Sequence, residues 1–484
     1  MFEFFIFIIL PLITSLICYF IKNLRIQYCI SLVPGILHFG LALCIFIGFY
    51  HTNLPFLFGI DALSKLWILI LSNVYFWVVL VSYSYLKRPV NSKAEAGKQY
   101  YFLLLNFYLA ANSAAILSNH FGMYWVAVEA TTLSVAPLIY FYRNEEALEA
   151  MWKYLFLISI GIAFAFIGIL FLTLSAKGTI LEGKQLFFWE FIKNAGQLNP
   201  IWLKASFVFI FIGLSTKIGL APMQSGDIDA TSNAPSPIAA LMSGSLRITA
   251  LLGVLRILEI IRPTATYEFA KLIMIIGGML SIFVAFVFMF KVNNYKRMLA
   301  YSSVEHLGII TLGIGIGGLA FIGAIYHAIY NSITKVILFL TAGNIHSRYQ
   351  SREVSKVTSV MKLMPVTGWL FLISFFAISG IPPSGIFFSE IKIFEGILFS
   401  TKPGLLFIAM FFLLFIFINM GKIIFSMLYN KGTNDKQDNS IEKFEFIHFV
   451  TIALLIILIA LAIISPDILF NRISSIGKDF GINL

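Results

Sequence analysis

Seven ionisable residues stand inside long apolar stretches of the chain: Glu129, Lys217, Arg247, Glu305, His306, Lys335 and Glu390. A charged side chain at the centre of a membrane helix costs about 2.5–3.5 kcal/mol on insertion scales. Left unpaired, the set would cost on the order of 20 kcal/mol, more than the usual net stability of a fold. Such groups must pair or meet internal water, and a line of them through a bilayer has the chemistry to pass protons or ions. Arginine holds its proton too firmly to hand it on, so Arg247 suits a fixed charge; lysine, histidine and carboxylates exchange more readily.

Spacing sharpens the list. Glu129 lies in Trp125-Val126-Ala127-Val128-Glu129-Ala130-Thr131-Thr132, with Thr132 about one helical turn on. Lys217 precedes Gly219 and Pro222 and is its natural counter-charge: a carboxylate moving closer or farther would load or release a proton on the lysine. Alternatively, Lys217 only satisfies carbonyls freed by a break at Pro222. His327, Asn331 and Lys335 are spaced by four and form one polar stripe on a helix. Glu305 and His306 open a neighbouring apolar stretch, and Glu390 follows Gly380, Pro382 and Pro383, where it would serve as an outlet. Lys153 is either an inner member of the first path or a cytoplasmic anchor.

These residues need helices long enough to span a bilayer. Hydrophobic residues make up 59% of 484 positions and charged residues 12%, which makes an integral membrane protein. Apolar segments of about 20 residues suit helices and exclude a barrel, whose strands would alternate. The fold class is all-α and polytopic, with about fourteen spans. They fall at about 2–21, 27–50, 61–86, 100–118, 121–142, 153–175, 201–224, 235–257, 268–290, 298–317, 320–342, 364–398, 403–428 and 447–465. Proline removes a donor and glycine loosens the turn, so spans seven (Gly219, Pro222) and twelve (Gly380, Pro382, Pro383) should be broken. The breaks lie five spans apart; an odd offset makes inverted five-helix repeats, as in many transporters with ion sites at broken helices. The expected units are 1–98, 99–257, 265–430 and 446–484.

The net charge of +11 is spread through connecting loops, without a basic patch interleaved with aromatics, so nucleic acid is not an expected partner. Loops after odd-numbered spans carry most of the lysine and arginine, which puts them in the cytoplasm and both termini on the outer face. Lys291, Lys296 and Arg297 count among these loop bases, and 431–445 is expected to be a cytoplasmic loop. Cys18, Cys29 and Cys44 lack metal-ligand spacing and are expected to be inert core residues. Gly313 to Gly318 mimics a dinucleotide loop but has no strand before it, so close helix packing is expected. No Walker motif, CxxC pair or HExxH is present, so no catalytic, cofactor or metal site is expected.

The Glu129 and Lys217 pair, with the Gly-x-x-Pro after the lysine, resembles the antiporter-like membrane subunits shared by respiratory complex I, group 4 membrane hydrogenases and Mrp-type cation/proton antiporters. Trp125 to Leu155, Tyr301-Ser302-Ser303-Val304-Glu305-His306 and Ala342-Gly343-Asn344-Ile345-His346 look most like the hydrogenase-4 component F group. The resemblance implies a hydrated axis through spans four to eight and nine to thirteen that includes Glu129, Lys217, His306 and Glu390. It also implies partner membrane subunits of a hydrogenase or complex I-like assembly, protons or sodium as the transported ion, and a prokaryotic cytoplasmic membrane. Three departures stand out. Relatives continue after the seventh-span proline with a His-Thr-Trp-Leu-Pro-Asp-Ala-His-like stretch, where this chain has Met223 to Thr231. Their eighth-span lysine or asparagine is Arg247, and their eleventh-span histidine is Asn331. An Mrp-type antiporter component, or a structural paralogue that has lost pumping, remain the alternatives.

Overall fold

The computed structural model describes residues 2–49, 57–88, 92–184, 186–430, 440–464 and 467–482. Lys431 and Lys436 of the expected cytoplasmic loop lie outside the described residues. Among the described residues the chain is helical, with only isolated β-bridges such as Phe58 with Ser118. The first six helices are α1 (Phe2–Phe20), α2 (Leu24–Ile47), α3 (Ala62–Leu86), α4 (Ser92–Leu117), α5 (Phe121–Ile139) and α6 (Glu145–Ser175). The first break separates α7 (Pro200–Ile218) from α8 (Ser225–Asn233). Then come α9 (Ser236–Ile261), α10 (Tyr267–Met289), α11 (Tyr295–Ile316) and α12 (Gly318–Tyr349). The second break separates α13 (Pro365–Ile378) from α14 (Gly385–Leu398), and α15 (Gly404–Tyr429), α16 (Phe446–Ile464) and α17 (Asp467–Asp479) complete the order. Thirteen helices among the described residues are long and apolar enough to cross a membrane, and α13 with α14 supplies the twelfth of the fourteen expected spans.

Several boundaries differ from hydropathy, and caps explain them. The sixth span starts at Glu145 rather than 153, because Asn144 accepts from the Ala147 amide and Glu145 and Glu146 meet the positive helix end. Lys153 is therefore two turns inside α6. Asn294 likewise starts α11 at Tyr295 by accepting from Lys296 and Arg297 amides, which draws Lys296 out of its expected loop; it is 2% exposed. Residues 225–233, read as a connection, form the half-helix α8, and 467–479 adds an unexpected helix beyond the fourteenth span.

Burial separates core helices from lipid-facing ones. Within α9 and α12 an 18-residue apolar window is buried throughout, whereas the corresponding window of α15 is 28% buried. Phe156, Ile160, Phe407 and Phe411 project outward, a pattern that needs lipid around it. Small residues let backbones touch at two crossings. A Cβ on Gly213 of α7 would stand 2.5 Å from the Gly161 carbonyl of α6, and one on Gly396 of α14 would stand 2.4 Å from the Ala320 nitrogen of α12. The Gly313 stretch follows the same packing logic: a Cβ on Gly315 would meet the Ile275 nitrogen at 2.9 Å. Cys18 is buried, but Cys29 and Cys44 face outward, so the expectation of three core cysteines fails for two.

Candidate buried charge axis

Local chemistry sets both breaks. Gly219 ends α7 with φ +86°, its amide bonded to the Ser215 carbonyl, and Pro222 cannot continue the helix. Gly380 has φ +67° after α13, Pro382 and Pro383 follow, and the Ser384 side chain caps α14 by accepting from the Phe387 amide at 3.2 Å.

Beside the first break, Lys217 is 2% exposed, and its ammonium donates to Thr132 Oγ1 at 2.7 Å and to the Val128 carbonyl. Glu129 does not pair with it directly. Its Oε1 accepts from Ser159 Oγ at 2.8 Å, and its buried Oε2 has no protein partner. The reason is register: the lysine reaches the α5 turn that carries Glu129 and takes its oxygens from the residues on either side. Thr132, expected on Glu129's face, is the residue that receives the lysine.

Arg247 is the largest change from the sequence reading. It follows a π-turn, Met242–Leu246, and its Nη2 meets Asp227 Oδ2 of α8 at 2.5 Å, with both side chains 0–1% exposed, and Thr231 Oγ1 at 3.0 Å. The departure Met223 to Thr231 thus supplies partners for the departure Arg247. Sequence reasoning missed Asp227, although that stretch offered only two carboxylates for a buried arginine. It also missed Tyr154, whose buried hydroxyl has no protein partner. No sequence signal marks Tyr154. Asp227 Oδ1, Arg247 Nε and Nη1 and Asn331 Oδ1 are likewise buried without protein partners. Polar atoms so placed call for water.

The second group is gathered by α11, α12 and α14. Lys335 is fully buried and donates to the Leu299 carbonyl at 3.2 Å and to Ser302 Oγ. Glu305, 7% exposed, precedes His306 on α11. His306 Nδ1 lies 2.9 Å from His327 Nε2, and His327 Nδ1 lies 2.9 Å from Ser389 Oγ, next to Glu390. Ser332 of α12 donates to the Gly244 carbonyl in the π-turn at 2.6 Å, tying the two groups together.

Lys153 stands outside this line. Its side chain is 47% exposed, pairs with Glu149 at 2.5 Å and Asp229 at 3.4 Å, and borders a polar basin of about 210 Å³. Arg297 joins Asp229 at 3.1 Å, and Arg352 joins Glu146 at 3.5 Å.

With this geometry in place, comparison with known proteins is informative. The family described as NADH:quinone oxidoreductase/Mrp antiporter, TM, matches residues 118–418. A hydrogenase-4 component F homolog from Methylacidiphilum infernorum (isolate V4) is 31% identical over 400 residues, 82% of this chain and 83% of that protein. Among solved structures, an archaeal membrane-bound sulfane sulfur reductase contains a chain of the same fold, with TM-score 0.87 at 21% identity over 99% of this chain and 98% of that one. The Mrp complex from Dietzia sp. DQ12-45-1b gives TM-score 0.87 at 15% identity over the same shares. The chain therefore belongs to the NADH:quinone oxidoreductase/Mrp antiporter membrane family.

Proposed function

We propose that this chain is a proton-translocating membrane subunit in an assembly of the hydrogenase or NADH:quinone oxidoreductase type, driven by electron transfer in partner subunits. One observation carries the reading. Ionisable groups run from α5 past both breaks to α14, joined by contacts across the helices: Lys217 bonds to the α5 turn that carries Glu129, Arg247 meets Asp227, Ser332 ties α12 to the turn before Arg247, and His306 meets His327 beside Ser389 and Glu390. A shift of the Glu129 turn would load or release a proton on Lys217. Asp227 is the exchanging group at the junction, and Arg247 is the fixed charge beside it. Lys335, Glu305, His306, His327 and Glu390 carry the proton on. Moving one charge against 100 mV costs about 2.3 kcal/mol, within reach of one buried pair changing its separation.

The units 99–257 and 265–430 are read as inverted repeats, each centred on its broken helix. The membrane is the prokaryotic cytoplasmic one, with both termini outside and Lys153 in a basin on the cytoplasmic face. Partners are the other membrane subunits and the surrounding lipid. The 2.5 Å Arg247–Asp227 contact weighs against a paralogue that has lost pumping, because the two departures complement each other. In the assembled complex reconstituted in vesicles, Glu129→Gln or Lys217→Ala should abolish proton pumping; unchanged pumping would sink the mechanism. Sodium-dependent proton flux without a redox substrate would favour the Mrp-type reading instead.

A further inference from the structure

Among the described residues, His306 on α11, His327 on α12 and Glu390 on α14 bring one ligand atom each to within 4.8 Å of one another. Three separate helices meet there, and hydrogen bonding sets the state of the rings. Ser389 Oγ stands 2.8 Å from the Ile386 carbonyl, which can only accept, so the hydroxyl proton is committed to it. Ser389 Oγ therefore accepts from His327 Nδ1–H at 2.9 Å, and a neutral His327 turns a bare Nε2 toward His306. An imidazole with its far nitrogen anchored and its near nitrogen bare is how metal-binding histidines are held. Tautomer exchange of His306, moving its proton from Nδ1 to Nε2, bares a second lone pair without changing charge.

The carboxylate is cradled as well. Glu390 Oε2 packs against Gly380, where a Cβ would stand only 2.4 Å away, so the break makes room for it. Ligands of a tetrahedral ion at about 2.0–2.1 Å stand about 3.3 Å apart. That lies between the 2.9 Å separation of the two imidazole nitrogens and the 4.8 Å outer limit of the cluster, so side-chain adjustments suffice. Two neutral imidazoles and one carboxylate carry a single negative charge and suit a borderline divalent ion rather than magnesium or calcium, which prefer oxygen. Three protein ligands leave the fourth position open.

We propose that His306, His327 and Glu390 form a binding site for a divalent cation of the zinc class. The site stands on its own geometry. Because the same groups belong to the transport route proposed above, zinc should also inhibit transport, a readout separate from the binding assay.

The test uses the full chain purified in detergent and titrated with cobalt(II), whose visible absorption is intense only in tetrahedral coordination. Expected are one equivalent of tetrahedral cobalt, displacement by zinc and no displacement by magnesium. His327→Gln and Glu390→Gln should each weaken binding by tenfold or more. Ser389→Ala, which removes only the ring anchor, should cost about 10–100-fold. His448→Gln should keep the signal. Absence of tetrahedral bands, or an unchanged titration in a His306→Gln/His327→Gln double variant, overturns the proposal. Should the variants fold poorly, X-ray absorption of zinc-loaded wild-type protein decides: two imidazole ligands support the site, and fewer than two overturn it.

Discussion

Arg247 and Asp227 are tolerable in the core because each supplies what the other lacks. A guanidinium buried alone keeps its charge, since arginine cannot escape by losing a proton. Removing one partner of a buried ion pair typically costs about 3–5 kcal/mol, whereas replacing both by apolar residues of similar volume is often neutral or stabilising. Asp227→Asn should therefore lower the thermal midpoint of the purified protein strongly, while Asp227→Leu with Arg247→Met should recover most of the loss. A double variant no more stable than Asp227→Asn would mean the pair is not the reason for the cost. In transport no such recovery should follow, because both variants lack the exchanging carboxyl: pumping should be lost in Asp227→Asn and stay lost in the double variant although its stability returns. Comparing melting and pumping in the same preparations separates the two roles. Thr231, whose hydroxyl accepts from Arg247 at 3.0 Å, is a milder probe of the same contact.

The broken helices are the elements that hold these residues, and both hang on a glycine in the left-handed region. At Gly219, φ +86° disfavours any side chain, and a Cβ would stand 2.9 Å from Asp227 Oδ2. Gly219→Ala should cost about 1–3 kcal/mol in denaturant or thermal unfolding, whereas Gly404→Ala, which meets open space, should stay within about 0.5 kcal/mol. A third element depends on Glu442. Its carboxylate accepts from the Thr367 amide at 2.9 Å and Thr367 Oγ1 at 2.7 Å, capping the start of α13 from the segment before α16. Burial disfavours its charge, but the His448 and Thr367 hydrogen bonds outweigh burial and hold the carboxyl below its ordinary range. A depressed value means stability that is present above the unfolded value and lost as pH falls through the folded one. Glu442→Gln should thus destabilise the protein at pH 7, and the gap from wild type should close on acidification below about pH 4. The breaks were legible in the sequence because glycine and proline act locally. Half-helix α8 was not, because Ser225-Gly226-Asp227-Ile228-Asp229 is too short and polar to register as apolar; packing on α6 makes it helical. Asn144 and Asn294 cap helix starts that hydropathy alone does not mark. The Arg247–Asp227 pair and the His306–His327–Ser389 chain depend on the register between helices, which no single segment encodes.

For the molecule as a whole, the polar basin collects residues from four separate parts of the chain. Glu146 starts α6 and Lys153 lies two turns into it, Asp229 lies on α8, Arg297 starts α11, and Arg352 follows α12. These are the connections after spans five, seven, nine and eleven, so the odd-numbered connections share one face. The opposite face carries the bridges of Phe58 with Ser118 and His120 with Phe187, from the connections after spans two, four and six. Within one face the basin's charges balance, so the orientation proposed above rests on the excess of lysine and arginine over all odd connections. Glu149 and Gly196 report on the two faces. Glu149 is 66% exposed beside the basin, and Gly196, on the other face, has nothing within 4 Å of where a Cβ would stand. With Cys18, Cys29 and Cys44 replaced by alanine, single Glu149→Cys and Gly196→Cys variants can be exposed to a membrane-impermeant maleimide on right-side-out vesicles. Gly196→Cys should label at once, and Glu149→Cys only after the vesicles are opened. The converse pattern would turn the molecule over, put both termini inside and set the basin on the outer face.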